Sequence, residues 1–547
     1  MKRLLVCLLL VGLVECVSGE QAESRDLKEP KKSSKSISQE SAPRDLCNSR
    51  DKPPNVLFIS VDDLNDWVGL LGGHPQAKTP HLDRLMKQSL VFRNAHCAAP
   101  VCGASRHALF SGLRPSTTGW YSNSSKKRAD YERILGETVP MPTHFKHNGY
   151  KTMAGGKVFH RGTSDVAGYD YWDVTRPKYK WPRELAARGH GYQGANGGHF
   201  HPFPPDGGGI YQLFQEGVSG QSLCWGALGK KDMPAEGMPD EQIAAWAVER
   251  MSEQQETPFF LAVGFVRPHV PFTAPKEFFD LYPLQEIEMP QVPVGEMADI
   301  PLMGKAMAYG TLEGGDHYNV LKVGPDYWRE MVRAYLACVS FADAQVGKVL
   351  NALDASPYAD NTIVVFWSDH GQHLGEKLHW RKQALWEEAT RVPLAIRLPR
   401  SINGGQQCEQ PVSLLDLYPT MIELCNLPAV KGLEGISLVP ILEDPDFHRT
   451  EPAITTWYYK NHAARSRNFR YIRYRDGTEE LYDHRTDPHE HENLAADPGL
   501  ARIKEKLGAS MPTKDVIPAS FDKDGVDSFG RKVEMLRDQG IPEWLKR

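Results

Sequence analysis

Cysteine is scarce in this sequence, the net charge is small, and no long apolar run occurs anywhere in the chain. Nine cysteines in 547 residues argue against a fold that depends on a disulfide framework. A net charge of -5 does not indicate binding to nucleic acid or to a membrane surface. No apolar stretch reaches the length of a membrane-spanning helix, and no segment repeats. The composition that remains, 41% apolar and 24% charged, predicts a globular protein of two or more domains.

The start of the chain differs from the rest. Residues 1–19 combine a basic beginning, a short apolar segment and small residues at their end, the pattern of a signal peptide. Residues 20–52 are rich in Ser, Lys and Glu and predict a disordered linker. We therefore expect a secreted or periplasmic protein without a membrane span. Lipid anchoring at Cys16 is disfavoured because Glu15 precedes the cysteine.

Continuous apolar runs predict the strands of a sheet that is covered on both faces. Residues 55–61, 259–265 and 362–368 are such runs, and they alternate with amphipathic segments. The longest of these, 328–353, keeps its apolar residues at three- and four-residue spacing and predicts a long helix. This order predicts a layered α/β domain with a large, mostly parallel sheet flanked by helices, over residues 53–440.

The pattern changes after residue 440. Residues 467–474 alternate apolar with basic side chains, and Asp476-Gly477 is a hairpin turn signal before the apolar pair Leu481 and Tyr482. We expect a smaller C-terminal subdomain with an antiparallel sheet, over residues 441–547.

Acidic side chains follow two of the predicted strands. Asp62 and Asp63 come after the first run, and Asp369 and His370 after the last one. A single Asp-Asp pair is usually a turn, but two sets at the carboxyl ends of similar strands predict a metal site if the strands are neighbours. The histidine alone favours a cation softer than calcium.

Cys102 lies in a short turn that leads into an apolar segment, a position typical of a nucleophile at the start of a helix. The alternative is a buried cysteine that acts as a small core residue. Without the predicted leader the chain has seven cysteines, so at least one is unpaired, and spacing alone leaves the pairing of the others open.

Five cationic or imidazole side chains stand at loop positions where functional residues concentrate. They are Arg106, Lys157, His160, His269 and Lys382. Each alone is more simply explained as a solvated side chain. Together with a divalent cation they suit a tetrahedral oxyanion, either sulfate or phosphate.

The motif Cys102-x-Ala104-x-Arg106 resembles the signature of type I sulfatases, whose cysteine is oxidised to formylglycine. The resemblance covers most of residues 53–285 and 327–395 and is strongest to the iduronate-2-sulfatase branch. The segments that carry it are 56–63, 112–118, 156–160, 259–272, 275–278, 368–371, 480–483 and 493–494. It implies an alkaline-phosphatase-like fold.

The resemblance also implies a role for each motif residue. Cys102, as formylglycine, is the nucleophile, and calcium is held by Asp62, Asp63, Asp369 and His370. Arg106 and Lys157 position and activate the nucleophile, and His160 helps to expel sulfate. Lys382 binds the sulfate of the substrate, and His269 acts on the leaving alcohol. A formylglycine-generating maturase is an implied partner.

Two departures from the family pattern are visible. Ala104 stands where most members have proline, which points to a maturase of the bacterial type that tolerates alanine. Gln372 and His373 stand where the iduronate branch carries Trp-Ala, and a Gly-rich loop at 188–209 has no clear counterpart. We assign Gln372 and His373 to substrate binding, together with Lys382 and His269, because the sugar is read in this region.

The sequence therefore predicts an exported enzyme that hydrolyses sulfate esters of a saccharide, either a uronate 2-O-sulfate or a galactose-type sulfate of a polysaccharide. One alternative is a phosphodiesterase or phosphonate hydrolase of the same superfamily. Another is a binder of sulfated glycan in which Cys102 stays a thiol.

Overall fold

A computed structural model describes residues 52–123, 128–160, 171–173, 223–230, 233, 237–520 and 522–546. All of them belong to one unit, Asp45–Arg547. The predicted signal peptide, nearly all of the predicted linker and the loop at 188–209 lie outside the described residues. Among the helices of the described part, none is long and apolar enough to cross a membrane.

The strands and the α-helices of the described residues are numbered separately, each in chain order. The strands are β1 Asn55–Val61, β2 Leu90–Phe92, β3 Ala95–His96, β4 Lys151–Gly156, β5 Tyr171–Asp173, β6 Trp225–Leu228, β7 Phe259–Phe265, β8 Phe272–Pro275, β9 Thr362–Ser368, β10 His373–Leu374, β11 Trp380–Arg381, β12 Leu394–Arg397, β13 Gln406–Cys408, β14 Val412–Ser413, β15 Ala453–Thr456, β16 His462–Arg465, β17 Phe469–Arg473 and β18 Glu479–Asp483. The helices are α1 Pro80–Lys87, α2 Cys102–Ser111, α3 Pro115–Thr118, α4 Arg128–Leu135, α5 Met141–His147, α6 Pro239–Ser252, α7 Lys276–Phe279, α8 Leu302–Tyr309, α9 Asp316–Val323, α10 Tyr327–Asp354, α11 Glu387–Thr390, α12 Leu417–Leu424, α13 Val439–Glu443, α14 Ala501–Ala509 and α15 Lys523–Gln539.

Eight strands form the main sheet, in the order β13-β2-β12-β9-β1-β7-β4-β5. The five strands from β9 to β5 run parallel to one another. β12 is antiparallel to both of its neighbours, β9 and β2, so the sheet is mixed. The prediction of a large, mostly parallel sheet is confirmed.

The two faces of this sheet are covered by separate apolar clusters. Leu57 and Ile59 of β1 pack into one cluster with α6 and α10, whereas Val56 and Phe58 pack into the other with α2, α5 and α12. Both faces of β1 are thus buried, which explains the continuous apolar run in its sequence. The long helix predicted over 328–353 is α10, Tyr327–Asp354.

The C-terminal sheet has four antiparallel strands in the order β15-β16-β17-β18. The Asp476-Gly477 signal lies in the turn between β17 and β18, and Gly477 has a φ of 85°. Thr456 of β15 donates its backbone N–H to the carbonyl of Ala98 at 2.9 Å. The sheet therefore contacts the segment that leads to Cys102. The antiparallel sheet is confirmed, while the domain boundary at residue 440 stays a prediction.

The described residues include six buried cysteines, none of which forms a disulfide: Cys97, Cys102, Cys224, Cys338, Cys408 and Cys425. The described fold is therefore held by its apolar clusters rather than by disulfides. Cys47 lies outside the described residues.

Candidate active site

Four adjacent parallel strands bring the predicted residues to one edge of the sheet. Val61, the last residue of β1, pairs with Ser368 of β9 on one side and with Phe265 of β7 on the other. Gly156 at the end of β4 pairs with Gly264 of β7. The predicted residues that follow these strands are Asp62 and Asp63 after β1, Lys157 and His160 after β4, His269 after β7, and Asp369 and His370 after β9.

Cys102 is the first residue of α2, and its side chain is completely buried. Its Sγ lies 3.2 Å from Nε2 of His370. The same sulfur lies 3.8 Å from Nζ of Lys157 and 3.8 Å from Oδ1 of Asp63. Because the first N–H groups of a helix have no partner within the helix, this position favours an anion next to the sulfur.

Three buried carboxylates and one imidazole surround the sulfur. Nε2 of His370 lies 3.5 Å from Oδ1 of Asp63 and 3.7 Å from Oδ2 of Asp369. Nδ1 of His370 lies 2.9 Å from the carbonyl oxygen of Gly371, which requires a proton on that nitrogen. Nε2 is therefore the nitrogen that faces the carboxylates. Although burial lowers the pKa of His370, Asp369, Cys102 and Asp63 raise it to about 9.

Three cations pair with these carboxylates. Arg106, which is fully buried, donates from Nε to Asp369 at 2.8 Å and from Nη2 to Asp62 at 3.0 Å. Lys157 pairs with Asp62, and Nζ of Lys382 lies 2.6 Å from Oδ2 of Asp63. Burial raises the pKa of Asp62, but Lys157 and the other nearby cations hold it well below its usual value. Three negative groups thus face three positive ones.

His269 lies at the same edge of the sheet. Its Nε2 is 4.0 Å from Oδ2 of Asp62. Its Nδ1 is 2.6 Å from the carbonyl oxygen of Val270 and so carries a proton. With Nδ1 fixed in this way, Nε2 is the nitrogen that can exchange a proton with a group bound in the site.

Sequence reasoning missed the residues that hold His269 in place. Arg267 is buried and donates to the carbonyl of His269 at 3.0 Å and to the carbonyl of Thr273 at 2.7 Å. Asp240 accepts the backbone N–H groups of Val266 and Arg267, both at 2.8 Å. An arginine at the end of a buried strand was the available signal, but Asp240, which holds the backbone of this segment, lies 27 residues earlier in the chain.

The remaining predicted residues are His160, Gln372 and His373. His160 is half-buried, three residues after Lys157. Gln372 is buried, and its side-chain amide has no hydrogen-bond partner among the described residues. His373 lines a cavity of about 260 Å³ together with Glu376 and Trp386, and none of the other predicted site residues lines that cavity.

The arrangement combines a buried cysteine at a helix N-terminus, three buried carboxylates and several cations. A divalent cation among the carboxylates would leave Arg106, Lys157 and Lys382 with positive charge for an anion. Such a site suits transfer of a sulfuryl or phosphoryl group, because the charge of either group is spread over its equatorial oxygens.

Comparisons with known proteins identify related chains. Residues 54–427 match the family model described as Sulfatase, and residues 375–516 match the one described as N-sulphoglucosamine sulphohydrolase, C-terminal. A sulfatase of Formosa agariphila is 39% identical over 466 residues, which are 84% of this chain and 86% of that protein. Human iduronate 2-sulfatase is 32% identical over 446 residues, 73% of this chain and 72% of that protein.

A solved structure described as a 2-O GAG sulfatase superposes with a TM-score of 0.62 at 21% sequence identity. The match covers 90% of this chain and 95% of that one. The layered sheet and the C-terminal antiparallel sheet are therefore those of the alkaline-phosphatase-like fold that sulfatases share.

Proposed function

Since the chain belongs to the type I sulfatase family and is thus a sulfuric ester hydrolase, we propose that it desulfates a saccharide with a nucleophile derived from Cys102. The observation that carries this proposal is the position of Cys102 Sγ, 3.2 Å from His370 at the start of α2 and next to Lys157. A cysteine that served only as a core residue would have apolar neighbours rather than charged ones.

Formylglycine is the form in which Cys102 acts in this proposal. As a hydrate it supplies one hydroxyl that attacks sulfur and a second that allows sulfate to be eliminated. Arg106 and Lys157 hold the attacking oxygen of the hydrate in place, and Lys157 also stabilises negative charge on that oxygen. His160, three residues after Lys157, takes the proton that is lost when sulfate leaves.

The donor set fits a calcium ion. Asp62, Asp63, Asp369 and His370 are all fully buried. Candidate ligand atoms of Asp62, Cys102, Asp369 and His370 lie within 4.8 Å of one another. Three carboxylates suit a hard cation, and the Nδ1 contact of His370 with Gly371 fixes its ring with Nε2 inward. Bound there, calcium would stabilise negative charge on the sulfuryl oxygens.

The substrate end of the site is assigned to four residues. Lys382 binds the sulfate, and His269 gives its Nε2 proton to the leaving sugar oxygen. Gln372, with its unpartnered buried amide, and His373 are assigned to the sugar. The relatives support a sulfated saccharide, because one acts on an iduronate 2-sulfate and one on a 2-O-sulfated GAG. The expected target is a uronate 2-O-sulfate or a galactose-type sulfate. We expect the enzyme to reach it after export, which the signal peptide at residues 1–19 would direct.

Replacement of Cys102 tests the nucleophile. We expect Cys102→Ala to lose aryl sulfate hydrolysis by at least about a thousandfold, because no other group can form the covalent intermediate. In the active protein, the tryptic peptide 94–106 has the mass of an aldehyde at Cys102. Cys97→Ala, in the same peptide, is the matched control and retains hydrolysis. Activity in Cys102→Ala contradicts the proposal, and an intact thiol with glycan binding but no sulfate release supports the non-catalytic alternative.

Calcium addition to chelated protein tests the metal site. Binding at about 100 times Kd stabilises the folded protein by about 2.7 kcal/mol, so the melting temperature rises together with sulfatase activity. We expect Asp63→Asn to lose the calcium-dependent shift in melting temperature. Asp354→Asn, which alters a partly exposed carboxylate paired with Arg84, is expected to keep it. An equal shift in both variants places calcium elsewhere.

A further inference from the structure

A small cavity adjoins Lys382 and is lined by residues from distant parts of the chain, between Ala306 and Lys532. Its volume is about 40 Å³. Its polar lining residues are Thr311, Asp316, His379, Arg381, Lys382, Gln383, Trp457 and Lys532. One water needs roughly 10–15 Å³ of cavity volume. The cavity therefore has room for about three waters or one small polar group, but not for a sugar ring.

The polar groups around this cavity are mostly donors. Its one lining carboxylate, Asp316, is already occupied: Arg381 donates to it at 2.9 Å, and the backbone N–H groups of Thr311 and Leu312 donate at 3.0 and 2.8 Å. The indole Nε1 of Trp457 is buried without a hydrogen-bond partner among the described residues. A cavity with unused donors and a satisfied carboxylate is suited to an anion.

Lys532 is the unexpected member of this lining. It lies on α15, whose apolar side packs through Phe529 on Trp457 with ring centroids 4.2 Å apart. Its Nζ donates to the carbonyl of Gly310 but makes no ion pair with any described residue. Burial lowers the pKa of Lys532 to about 8, as expected for a lysine without its own counterion.

We propose that Lys532, with Arg381 and Trp457, binds a second anionic group of the substrate next to the sulfate that Lys382 binds. This inference rests on the proposed function of Lys382 and gives the substrate class more closely: a sugar with two anionic groups. The second group is a carboxylate or a second sulfate, each of which presents oxygens that accept from lysine, guanidinium and indole N–H groups. Lys532 is then a specificity-determining residue contributed by the C-terminal helix.

Kinetics of Lys532→Met on paired substrates test this. The probes are a uronate 2-O-sulfate disaccharide and its carboxyl-reduced form, galactose mono- and disulfate, and 4-nitrophenyl sulfate. We expect the ratio of kcat/KM for a dianionic sugar to that for the aryl sulfate to fall at least tenfold, mainly through KM. A fall for the uronate but not for its reduced form identifies the carboxylate, and a fall confined to the disulfate identifies the second sulfate.

The control is Arg531→Gln, which removes a neighbouring exposed cation of α15 and is expected to keep the ratio. Lys532→Arg is expected to restore most of it. If kcat/KM falls by the same factor on every probe, the role of Lys532 is merely structural. If kcat/KM changes on none of the probes, Lys532 has no role. Either result overturns the inference. If wild type hydrolyses no sulfate ester, the proposed function fails, and calorimetric binding of the uronate 2-O-sulfate disaccharide decides: equal affinity in Lys532→Met and Arg531→Gln overturns the inference.

Discussion

Arg106 connects more of the charged groups than any other single side chain described above. Its guanidinium contacts Asp62 and Asp369 from two different strand ends and also donates to the carbonyl of Val158 at 3.1 Å. A planar group with five donors can satisfy acceptors in three directions at once. The arginine thus fixes the relative positions of the segments after β1, β4 and β9.

Arg106→Lys keeps the charge but removes this geometry. We expect the unfolding free energy to fall by about 1.5–3 kcal/mol for each charge-assisted hydrogen bond that lysine cannot replace. Hydrolysis of aryl sulfate should fall at least about tenfold, because a barrier increase of 1.4 kcal/mol has that effect. Denaturant unfolding and steady-state kinetics measure both. Arg114→Lys, at a half-exposed pair with Glu434, is the control, with an expected change below about 1 kcal/mol. Equal effects of the two changes contradict the role of Arg106.

At the level of elements, the junction of β4 and β7 sets the position of Lys157. The N–H of Lys157 donates to the carbonyl of Gly264 at 2.7 Å. A Cβ at Gly264 would lie 2.2 Å from the carbonyl carbon and oxygen of Lys157. Glycine is required here because the two backbones approach too closely for any side chain.

Gly264→Ala is therefore expected to push the segment of Lys157 away from Asp62. Overpacking of this kind costs about 1–3 kcal/mol of stability, and we expect a larger loss of activity than of stability because the site moves. Gly324→Ala is the control, since its Cβ would meet no atom within 4 Å. Melting temperatures and kcat, measured side by side, distinguish the two. Full activity in Gly264→Ala shows that Lys157 does not need this position.

The elements that could be predicted are those with a local signature. β1, β7 and β9 are continuous apolar runs, and α10 has a regular helical spacing. The position of β12 between β9 and β2 could not be predicted, because antiparallel pairing between strands far apart in sequence leaves no local pattern. Helices α8 and α9 were also missed.

For the molecule as a whole, a buried ion network joins the C-terminal sheet to the segment after Lys382. Nε of Arg470 lies 2.5 Å from Oε1 of Glu490, and Nε2 of His484 lies 2.9 Å from the same oxygen. Glu387 accepts from Nε of Arg465 at 3.1 Å and pairs with Arg470 as well. The network therefore ties β16 and β17 to α11.

Removing one charge from this network leaves another uncompensated. We expect Glu490→Gln to cost about 3–5 kcal/mol of unfolding free energy, because Arg470 is fully buried. The control is Asp280→Asn, which breaks an exposed pair with Lys276 at a cost below about 0.5 kcal/mol. Chemical denaturation at neutral pH measures both, and similar values would show that the network contributes little.

The same network makes stability depend on pH. Burial raises the pKa of Glu490, but Arg470 and His484 lower it to about 2. Because the pKa of Glu490 in the folded protein lies below its ordinary value of 4.5, the stabilisation is complete above that pH and is lost as the pH falls towards 2. Glu490→Gln should therefore lose less stability than wild type over this window, as measured by melting temperature.

Like the elements of the fold, the site residues could be predicted only where a local sequence pattern marks them. The residues after β1, β4, β7 and β9 could be proposed because the carboxyl ends of parallel strands share an edge. Lys532 could not, since it is 150 residues beyond Lys382 on a helix whose pattern indicates only packing. His373 was assigned to the sugar by its neighbours in sequence; its side chain lines a cavity that no other predicted site residue lines, and the assignment stays a prediction.

In the proposed mechanism Cys102 is oxidised to formylglycine, and its complete burial has a consequence for the timing of that step. An enzyme that oxidises this thiol must hold the segment around it in its own active site, which the folded chain does not allow. In this proposal, oxidation therefore precedes formation of the backbone hydrogen bond between Thr456 of β15 and Ala98, in the segment that leads to α2. If the chain folds first, Cys102 stays a thiol. The active fraction therefore depends on the relative rates of oxidation and folding and not on an equilibrium.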